Sequence, residues 1–211
     1  MIKKGVKFFV SMMIIFWIGT VATIRVQAVG GEVTKNLAAL EEINITECLE
    51  QEEDSYYLYF YRPMCTYCTE VVGTILKLNN HDKVYRLDCD IVINRGKRYA
   101  WNSPIHEKKE IGYIDEKGNK VYYEGESEEK YLCSNEYNIY GHKKNYEISS
   151  TIPDGQDIEF IYVKMVTPEI DYSIIKCWDD IVIAGVPTLL HVQNGKIDKF
   201  YFGVEEINAI K

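Results

Sequence analysis

The sequence lacks the motifs from which metal or nucleotide sites are usually built. Its four histidines are scattered, and it contains a single Cys-x-x-Cys motif with no His-x-His pair. A structural zinc site normally takes four Cys or His ligands, so we expect no metal. The sequence also lacks a phosphate-binding loop, a nucleotide fingerprint and an internal repeat. We therefore expect no nucleotide cofactor either.

Positive charge is also scarce. The 211 residues carry 24 Lys and Arg against 32 Asp and Glu, which gives a formal net charge of -8. Four of the basic residues lie within the first 28 positions, which hold no acid, so the rest of the chain is more acidic still. Such a surface repels phosphate backbones, and we expect no nucleic-acid partner. The length suits one domain with an elaboration.

The N-terminus has the pattern of an export signal. Residues 1–7 carry three lysines, residues 8–24 are apolar apart from small or hydroxyl residues, and residues 26–28 include the small residues that signal peptidase accepts. We interpret residues 1–28 as a signal peptide or, if residues 8–24 stay in the bilayer, as an N-terminal membrane anchor. A buried helix of the folded domain is the alternative. The signal interpretation places residues 29–211 outside the cytoplasm, either secreted or anchored to the outer face of the cytoplasmic membrane.

The Cys-x-x-Cys motif, Cys65 to Cys68, lies where a predicted strand gives way to a predicted helix. The aromatic run at 56–61 indicates a buried strand, and residues 69–78 have the periodicity of a helix. Two intervening residues leave the sulfurs close enough to form a disulfide, and the positive end of the helix favours a thiolate at Cys65. Since a thiolate is the species that attacks a disulfide, the motif predicts a redox-active pair.

Further strands follow the motif. Residues 84–88 predict a strand, and the order strand, helix, strand implies a parallel crossover. Near the C-terminus, Pro187 stands at the head of a strand, a position that favours a cis bond. A turn at Asn194 and Gly195 and a returning strand at 197–202 complete a hairpin. The pattern is that of an α/β layer.

With these features in this order, the chain resembles the thioredoxin superfamily over roughly residues 44–90 and 171–211. The resemblance implies a thioredoxin-like fold, in which helices flank a central mixed sheet, and no cofactor other than a redox-active Cys65–Cys68 disulfide. It implies that Cys65 is the nucleophile and that Cys68 resolves the mixed disulfide. It also implies that Pro187, with its neighbours Val186 and Thr188, holds a substrate segment beside the cysteines.

A second resemblance concerns the approach to the motif. Residues 61–65, with the sequence Tyr-Arg-Pro-Met-Cys, are similar to the approach to the active site in small exported thioredoxin-like proteins of Gram-positive bacteria. Those proteins include the bacteriocin transport accessory proteins.

The residues around the motif depart from the thioredoxin pattern. Met64 precedes the first cysteine, Thr66 and Tyr67 separate the pair, and Tyr59 takes the place of the family's buried aspartate. Because such residues help to set thiol pKa values and reduction potentials, the family's redox values are not carried over. Arg86 lies where the family often has a lysine near the site, and we consider it a candidate for tuning the redox pair.

Spacing is a further departure. Residues from about 91 to 170 form an insertion by this resemblance, too long for a bare loop. Residues 111–114 and 120–123 predict a hairpin, and residues 159–166 predict a strand, so we expect the insertion to be β-rich. Its position suggests a wall or lid beside the redox site.

The chain has four more cysteines, and each fits two interpretations. Buried, unpaired thiols are one, because cysteine packs well in cores. A structural disulfide is the other, with Cys133 to Cys177 as the preferred pair, since it would tie the insertion to the segment before Pro187. The remaining two are Cys48 and Cys89.

Taken together, the sequence predicts an extracytoplasmic thiol–disulfide oxidoreductase. Its substrates would be secreted proteins or peptides, and a further redox partner, not identified by the sequence, would recycle it. One alternative is a thioredoxin-fold accessory module that binds an exported peptide or its transporter and uses its cysteine pair structurally. A cysteine nucleophile paired with a histidine is another, although no feature favours it.

Overall fold

The protein is a mixed α/β chain with few helices, seen in a computed structural model that describes residues 36–210. The predicted signal peptide or anchor at residues 1–28 lies outside the described residues. Within residues 36–210, none of the helices combines the length and the apolar character that crossing a bilayer requires.

Most of the regular structure is strand. The strands are β1 (Glu41–Glu42), β2 (Ser55–Tyr61), β3 (Lys83–Asp88), β4 (Lys97–Arg98), β5 (Lys109–Ile114), β6 (Lys120–Tyr122), β7 (Tyr146–Thr151), β8 (Glu159–Met165), β9 (Val182–Ile183), β10 (Thr188–Gln193) and β11 (Lys196–Phe202). The α-helices that lie wholly within the described range are α1 (Thr66–Leu78), α2 (Glu128–Leu132) and α3 (Gly203–Asn208). Short 3-10 turns lie at Ile45–Glu47, Val92–Arg95, Pro104–His106, Tyr172–Ile174 and Trp178–Asp180.

A five-stranded mixed sheet forms the centre, in the order β1-β3-β2-β10-β11. Strands β1, β3 and β2 run parallel, whereas β10 pairs antiparallel with both β2 and β11. The parallel crossover from β2 through α1 to β3 is therefore confirmed. The hairpin between β10 and β11 is confirmed as well, and both of its turn residues, Asn194 and Gly195, have positive φ angles of 51° and 71°. An Asn-Gly pair tolerates this conformation best.

The sheet is buried on both faces at its central strand β2, which is apolar or aromatic at every position from 56 to 61. Its odd-numbered tyrosines pack with Val71 and Ile75 of α1 in one cluster. Its even-numbered residues pack with Ile45, Tyr172 and Ile181 in a second cluster on the other face. Each fully buried large side chain contributes about 1.5–3 kcal/mol. The two clusters together hold the ends of β2 and α1 in place.

The region from 91 to 170 is β-rich, as predicted. A four-stranded antiparallel sheet, in the order β6-β5-β8-β7, holds most of its strand residues, and the hairpin of β5 and β6 and the strand β8 are confirmed. The region joins the rest of the chain through a parallel pair, β4 with β9, in which Arg98 lies opposite Ile183. This pairing brings the start of the region next to the segment that precedes Pro187.

Candidate redox site

Cys65 occupies the N-cap position of α1. The sequence pattern predicted a helix from residue 69, but the helix begins at Thr66, because the thiol of Cys65 satisfies one of its free amides. The Cys68 N–H donates to Cys65 Sγ across 3.2 Å. A sulfur held by a backbone donor at the positive end of a helix is a position where negative charge is stabilised.

The two thiols differ in exposure. Cys65 is partly exposed, whereas Cys68 is fully buried between α1 and the sheet. Burial, and next its contact with the thiol of Cys65, raise the pKa of Cys68 well above that of a free thiol. Both cysteines are unbonded in this structure, which therefore represents the dithiol form. Another molecule can reach the Cys65 sulfur directly, whereas it can react with the Cys68 sulfur only after it is bound to Cys65.

The segment before β10 lies directly against the outer thiol. Cys65 Sγ donates to the carbonyl oxygen of Val186 across 3.8 Å, and the peptide bond between Val186 and Pro187 is cis. Pro187 is buried, and the hydroxyl of Thr188 donates to the carbonyl of Gly185 across 2.7 Å. The structure thus brings together Cys65, Cys68 and Val186, while the Thr188 side chain bonds within its own loop.

Tyr59 lies behind the buried thiol. Its ring is fully buried, and its hydroxyl donates to the carbonyl oxygen of Cys68 across 3.1 Å. Burial, followed by the charges that Cys68 and Cys65 can carry, raises the pKa of Tyr59, so the hydroxyl stays neutral. The same hydroxyl lowers the pKa of Cys68 slightly, against the larger effect of burial. A neutral donor thus occupies the place that the resemblance gives to an acid.

Arg86, the candidate for tuning the pair, has another partner. Its Nη2 atom lies 2.8 Å from Glu42 Oε2 in an ion pair that is only 14% exposed on the arginine side. Among residues 36–210 its Nε and Nη1 atoms are buried without a hydrogen-bond partner. No ion pair or hydrogen bond joins Arg86 to either thiol in this range. Its role in tuning stays a prediction.

The other four cysteines fall into two classes. Cys48 and Cys89 are buried, and burial raises the pKa of each to about 12. Cys133 and Cys177 are exposed and unbonded in this reduced form, and their pairing stays a prediction. Cys133 is the C-cap of α2, and the thiol of Cys177 donates to its neighbour Asp180 across 3.5 Å.

Sequence analysis missed a basic cavity beside the thiols. It has a volume of about 500 Å³ and shares Val186 with the redox site. Its charged lining comes from Arg62, Arg95 and Arg98, and its aromatic lining from Tyr99 and Trp101. The arginines are spread over 37 positions of sequence: the first directly follows β2, the second ends a 3-10 turn and the third lies in β4. No local sequence pattern could therefore have predicted that they line one cavity.

A hydrogen-bonded chain of Ser55, His191 and Asp198 was also missed. Ser55 Oγ lies 3.0 Å from His191 Nε2, and His191 Nδ1 lies 2.5 Å from Asp198 Oδ1. Serine hydrolases use the same order of groups, but acyl transfer also requires donors aimed at an oxyanion. The three residues lie on the paired strands β2, β10 and β11, and the Tyr57 ring packs on the imidazole with centroids 4.6 Å apart. We assign these three hydrogen-bonded side chains a role in holding the sheet together.

No cluster of three or more potential metal ligands occurs within the described range of 36–210. Comparisons of the chain with protein-family models, with curated proteins and with solved structures found no match.

Proposed function

We propose that the protein is a thiol–disulfide oxidoreductase with a thioredoxin-like fold that acts outside the cytoplasm. One observation carries the proposal: Cys65 is accessible, caps a helix and accepts a hydrogen bond from the Cys68 amide, with the second thiol buried behind it. Such an arrangement presents the outer sulfur to a substrate and keeps the inner thiol for a second step. The mixed sheet, with its crossover and C-terminal hairpin, is compatible with the proposed fold.

The reaction needs two exchanges. The Cys65 thiolate attacks one sulfur of a substrate disulfide, the substrate S–S bond breaks, and the other substrate sulfur leaves as a thiolate. The Cys68 sulfur then attacks Cys65 Sγ, the mixed disulfide breaks, and the Cys68 proton passes to the departing substrate sulfur, which leaves as the second substrate thiol. Two electrons pass from the cysteine pair to the substrate, and the pair ends as a disulfide. The reverse sequence oxidises a substrate dithiol.

The raised pKa of the buried Cys68 thiol fits this order of events. A thiol that seldom ionises does not compete with Cys65 for the substrate. Once Cys65 is held in a mixed disulfide, its sulfur is the nearest electrophile to Cys68. The substrates proposed here are secreted proteins or peptides, because residues 1–28 predict export, and a separate redox partner would return the pair to its starting state.

A second candidate, the non-catalytic accessory module, is favoured by one observation. Tyr59 presents a neutral hydroxyl to the region of Cys68, and a neutral hydroxyl of raised pKa does not accept the proton that Cys68 must lose. In this reading the protein would bind an exported peptide or its transporter, and the cysteine pair would be structural.

Turnover separates the two candidates. The reduced protein is mixed with a synthetic peptide that contains one disulfide, and the appearance of peptide thiols is followed. We expect Cys65→Ala to abolish reduction and Cys68→Ala to trap a mixed disulfide through Cys65. Cys177→Ala, which removes an exposed thiol elsewhere, is the matched control and should keep the rate. Equal rates in Cys65→Ala and the unmodified protein would overturn the proposal.

A further inference from the structure

The basic cavity defined above adjoins the place where a substrate would react. Val186 lines it with its own backbone neighbours Ile183, Ala184 and Gly185, and the Val186 carbonyl oxygen is the atom that contacts Cys65 Sγ. A peptide whose cysteine reaches Cys65 would therefore lie next to a residue that lines this cavity. The cavity is therefore in reach of the substrate side chains that flank the reacting cysteine.

The cavity concentrates positive charge in an acidic protein. Three of the five arginines in the sequence line it, together with no acidic residue, although the formal net charge of the chain is -8. Arginine presents a planar fork of donors that matches a carboxylate, so this lining is suited to an anion of that shape.

The three arginines retain donors for a ligand. Arg95 donates Nε to the carbonyl of Cys89 across 2.9 Å and Nη2 to the carbonyl of Asp90 across 3.2 Å, contacts that fix the side chain without neutralising its charge. Arg62 Nε lies 3.6 Å from Asp90 Oδ1 in an exposed, weak ion pair. Arg98 makes no ion pair or side-chain hydrogen bond with any residue between 36 and 210.

The aromatic wall of the cavity is held rigid. Trp101 donates its indole N–H to the carbonyl of Ala184 across 2.8 Å, and its ring meets that of Tyr99 edge to face at 4.9 Å. The Tyr99 hydroxyl in turn accepts the Glu169 N–H across 2.9 Å. Fixed rings on one side exclude water, which strengthens the attraction between the arginines and an anion on the other.

Apolar side chains lie exposed on both sides of the thiol. Met64 and Tyr67 flank Cys65 and are 52% and 64% exposed, and Val92, in the turn that also carries Arg95, is 73% exposed. Large exposed apolar groups next to a charged cavity are typical of a surface that binds a peptide.

We infer that the basic cavity binds an aspartate or glutamate side chain of the substrate, placed within a few residues of the cysteine that reacts at Cys65. The substrate class is thus an acidic, disulfide-bearing segment of a secreted protein or peptide. This inference rests on the proposed redox function, which it deepens by giving the site a preference.

A pair of matched peptides tests the preference. Each contains one disulfide, followed by two glutamates in the first peptide and two glutamines in the second. The reduced protein is mixed with each peptide in a single turnover, and the ratio of the two second-order rate constants is then compared between protein variants, so that differences in intrinsic reactivity between the peptides cancel. We expect a ratio of about tenfold in favour of glutamate, the change that a charge-assisted hydrogen bond makes. The ratio should fall as salt is added.

Arginine variants locate the effect. Arg62→Gln/Arg98→Gln should reduce the ratio to about twofold or less, since it removes two of the three charges and leaves Arg95 bonded to its carbonyls. Lys117→Gln/Lys196→Gln, which removes two exposed charges from hairpin turns elsewhere, is the matched control and should keep the ratio. If the two double variants give the same ratio of glutamate to glutamine rates, the cavity arginines have no specific role, and the inference is overturned.

Failure of the inference and failure of the redox function look different. If both peptides are reduced at rates within twofold of each other, the inference is wrong and the redox function stands. If neither peptide is reduced, the redox function fails. Cysteine-free versions of the two peptides then decide the inference through calorimetric titration: tighter binding of the glutamate peptide, lost in Arg62→Gln/Arg98→Gln, supports the cavity, and equal affinities contradict it.

Discussion

The thiol of Cys65 lies 3.8 Å from the carbonyl oxygen of Val186, although 121 positions separate the two residues in sequence. The contact follows from the central sheet, because β10 begins directly after this segment and pairs antiparallel with β2, at whose end the motif lies. Thr188 and Phe60 are register partners in that pairing. The site is therefore as rigid as the two central strands that position it.

Differences in burial predict which cysteines react. In the folded, reduced protein at neutral pH we expect N-ethylmaleimide to label the partly or fully exposed Cys65, Cys133 and Cys177 within minutes. Cys48 and Cys89 should stay unlabelled until the protein is denatured, because burial hides them and raises the pKa of each thiol to about 12. Mass spectrometry of the digested protein reads each site. Rapid labelling of Cys89 in the folded state would contradict the assigned burial.

Tyr59→Phe should slow the second exchange more than the first. The variant keeps the buried ring but loses the hydroxyl that donates to the Cys68 carbonyl and slightly lowers the pKa of the Cys68 thiol. We expect the mixed disulfide with a test peptide to persist longer, and the protein to lose about 1 kcal/mol of stability. Acid quenching at intervals measures the intermediate. If its lifetime is unchanged while stability falls, Tyr59 is structural only.

The raised pKa of Glu206 leads us to expect that the stability of the protein depends on pH. Its carboxylate accepts the Phe202 N–H across 2.7 Å and lies 3.4 Å from His142 Nδ1, and burial raises its pKa above the ordinary value of 4.5. A carboxyl whose pKa is raised on folding favours the folded state while it is protonated, and this contribution is lost as the pH rises through the folded pKa.

Glu206→Gln tests that sign. The amide keeps an acceptor for Phe202 and cannot ionise, so we expect urea unfolding to show a flatter dependence on pH above 4.5 than in the unmodified protein. Glu205→Gln, the neighbouring acid, is the control and should keep the original slope. A steeper fall of stability in Glu206→Gln than in the control would show that the sign is wrong.

Ser55→Ala tests the role given to the Ser55–His191–Asp198 chain. We expect a loss of about 1 kcal/mol of stability, because the nearly buried imidazole loses one of its two partners. Hydrolysis of a nitrophenyl ester should be no faster with the unmodified protein than with the variant. A hydrolysis rate that disappears only in Ser55→Ala would make the chain catalytic and refute the structural assignment.

The parts of the fold that could be predicted are those governed by local pattern. The aromatic run of β2, the helical periodicity after Cys68 and the Asn194–Gly195 turn each specify their own geometry. Even there the helix starts earlier than its apolar periodicity indicates, since capping by Cys65 extends it by a turn at polar positions.

The parts that could not be predicted depend on tertiary placement. The pairing of Arg98 with Ile183 brings a basic residue of the insertion next to the segment before Pro187, and a two-residue strand leaves no periodic signal. The predicted disulfide of Cys133 and Cys177 also depends on tertiary placement, because sequence spacing does not say where the ends of an 80-residue region come to lie.

The reduction potential of the Cys65–Cys68 pair tests the account most directly. The purified protein, as Cys133→Ser/Cys177→Ser to remove the exposed thiols, is equilibrated in glutathione or dithiothreitol buffers, and the pair is followed by alkylation and mass spectrometry. We expect a reversible two-electron transition in the folded protein between about -270 mV, as in a reductase, and about -120 mV, as in a disulfide donor. A disulfide that is reduced only when the protein is unfolded would contradict the account and would favour the non-catalytic accessory module instead.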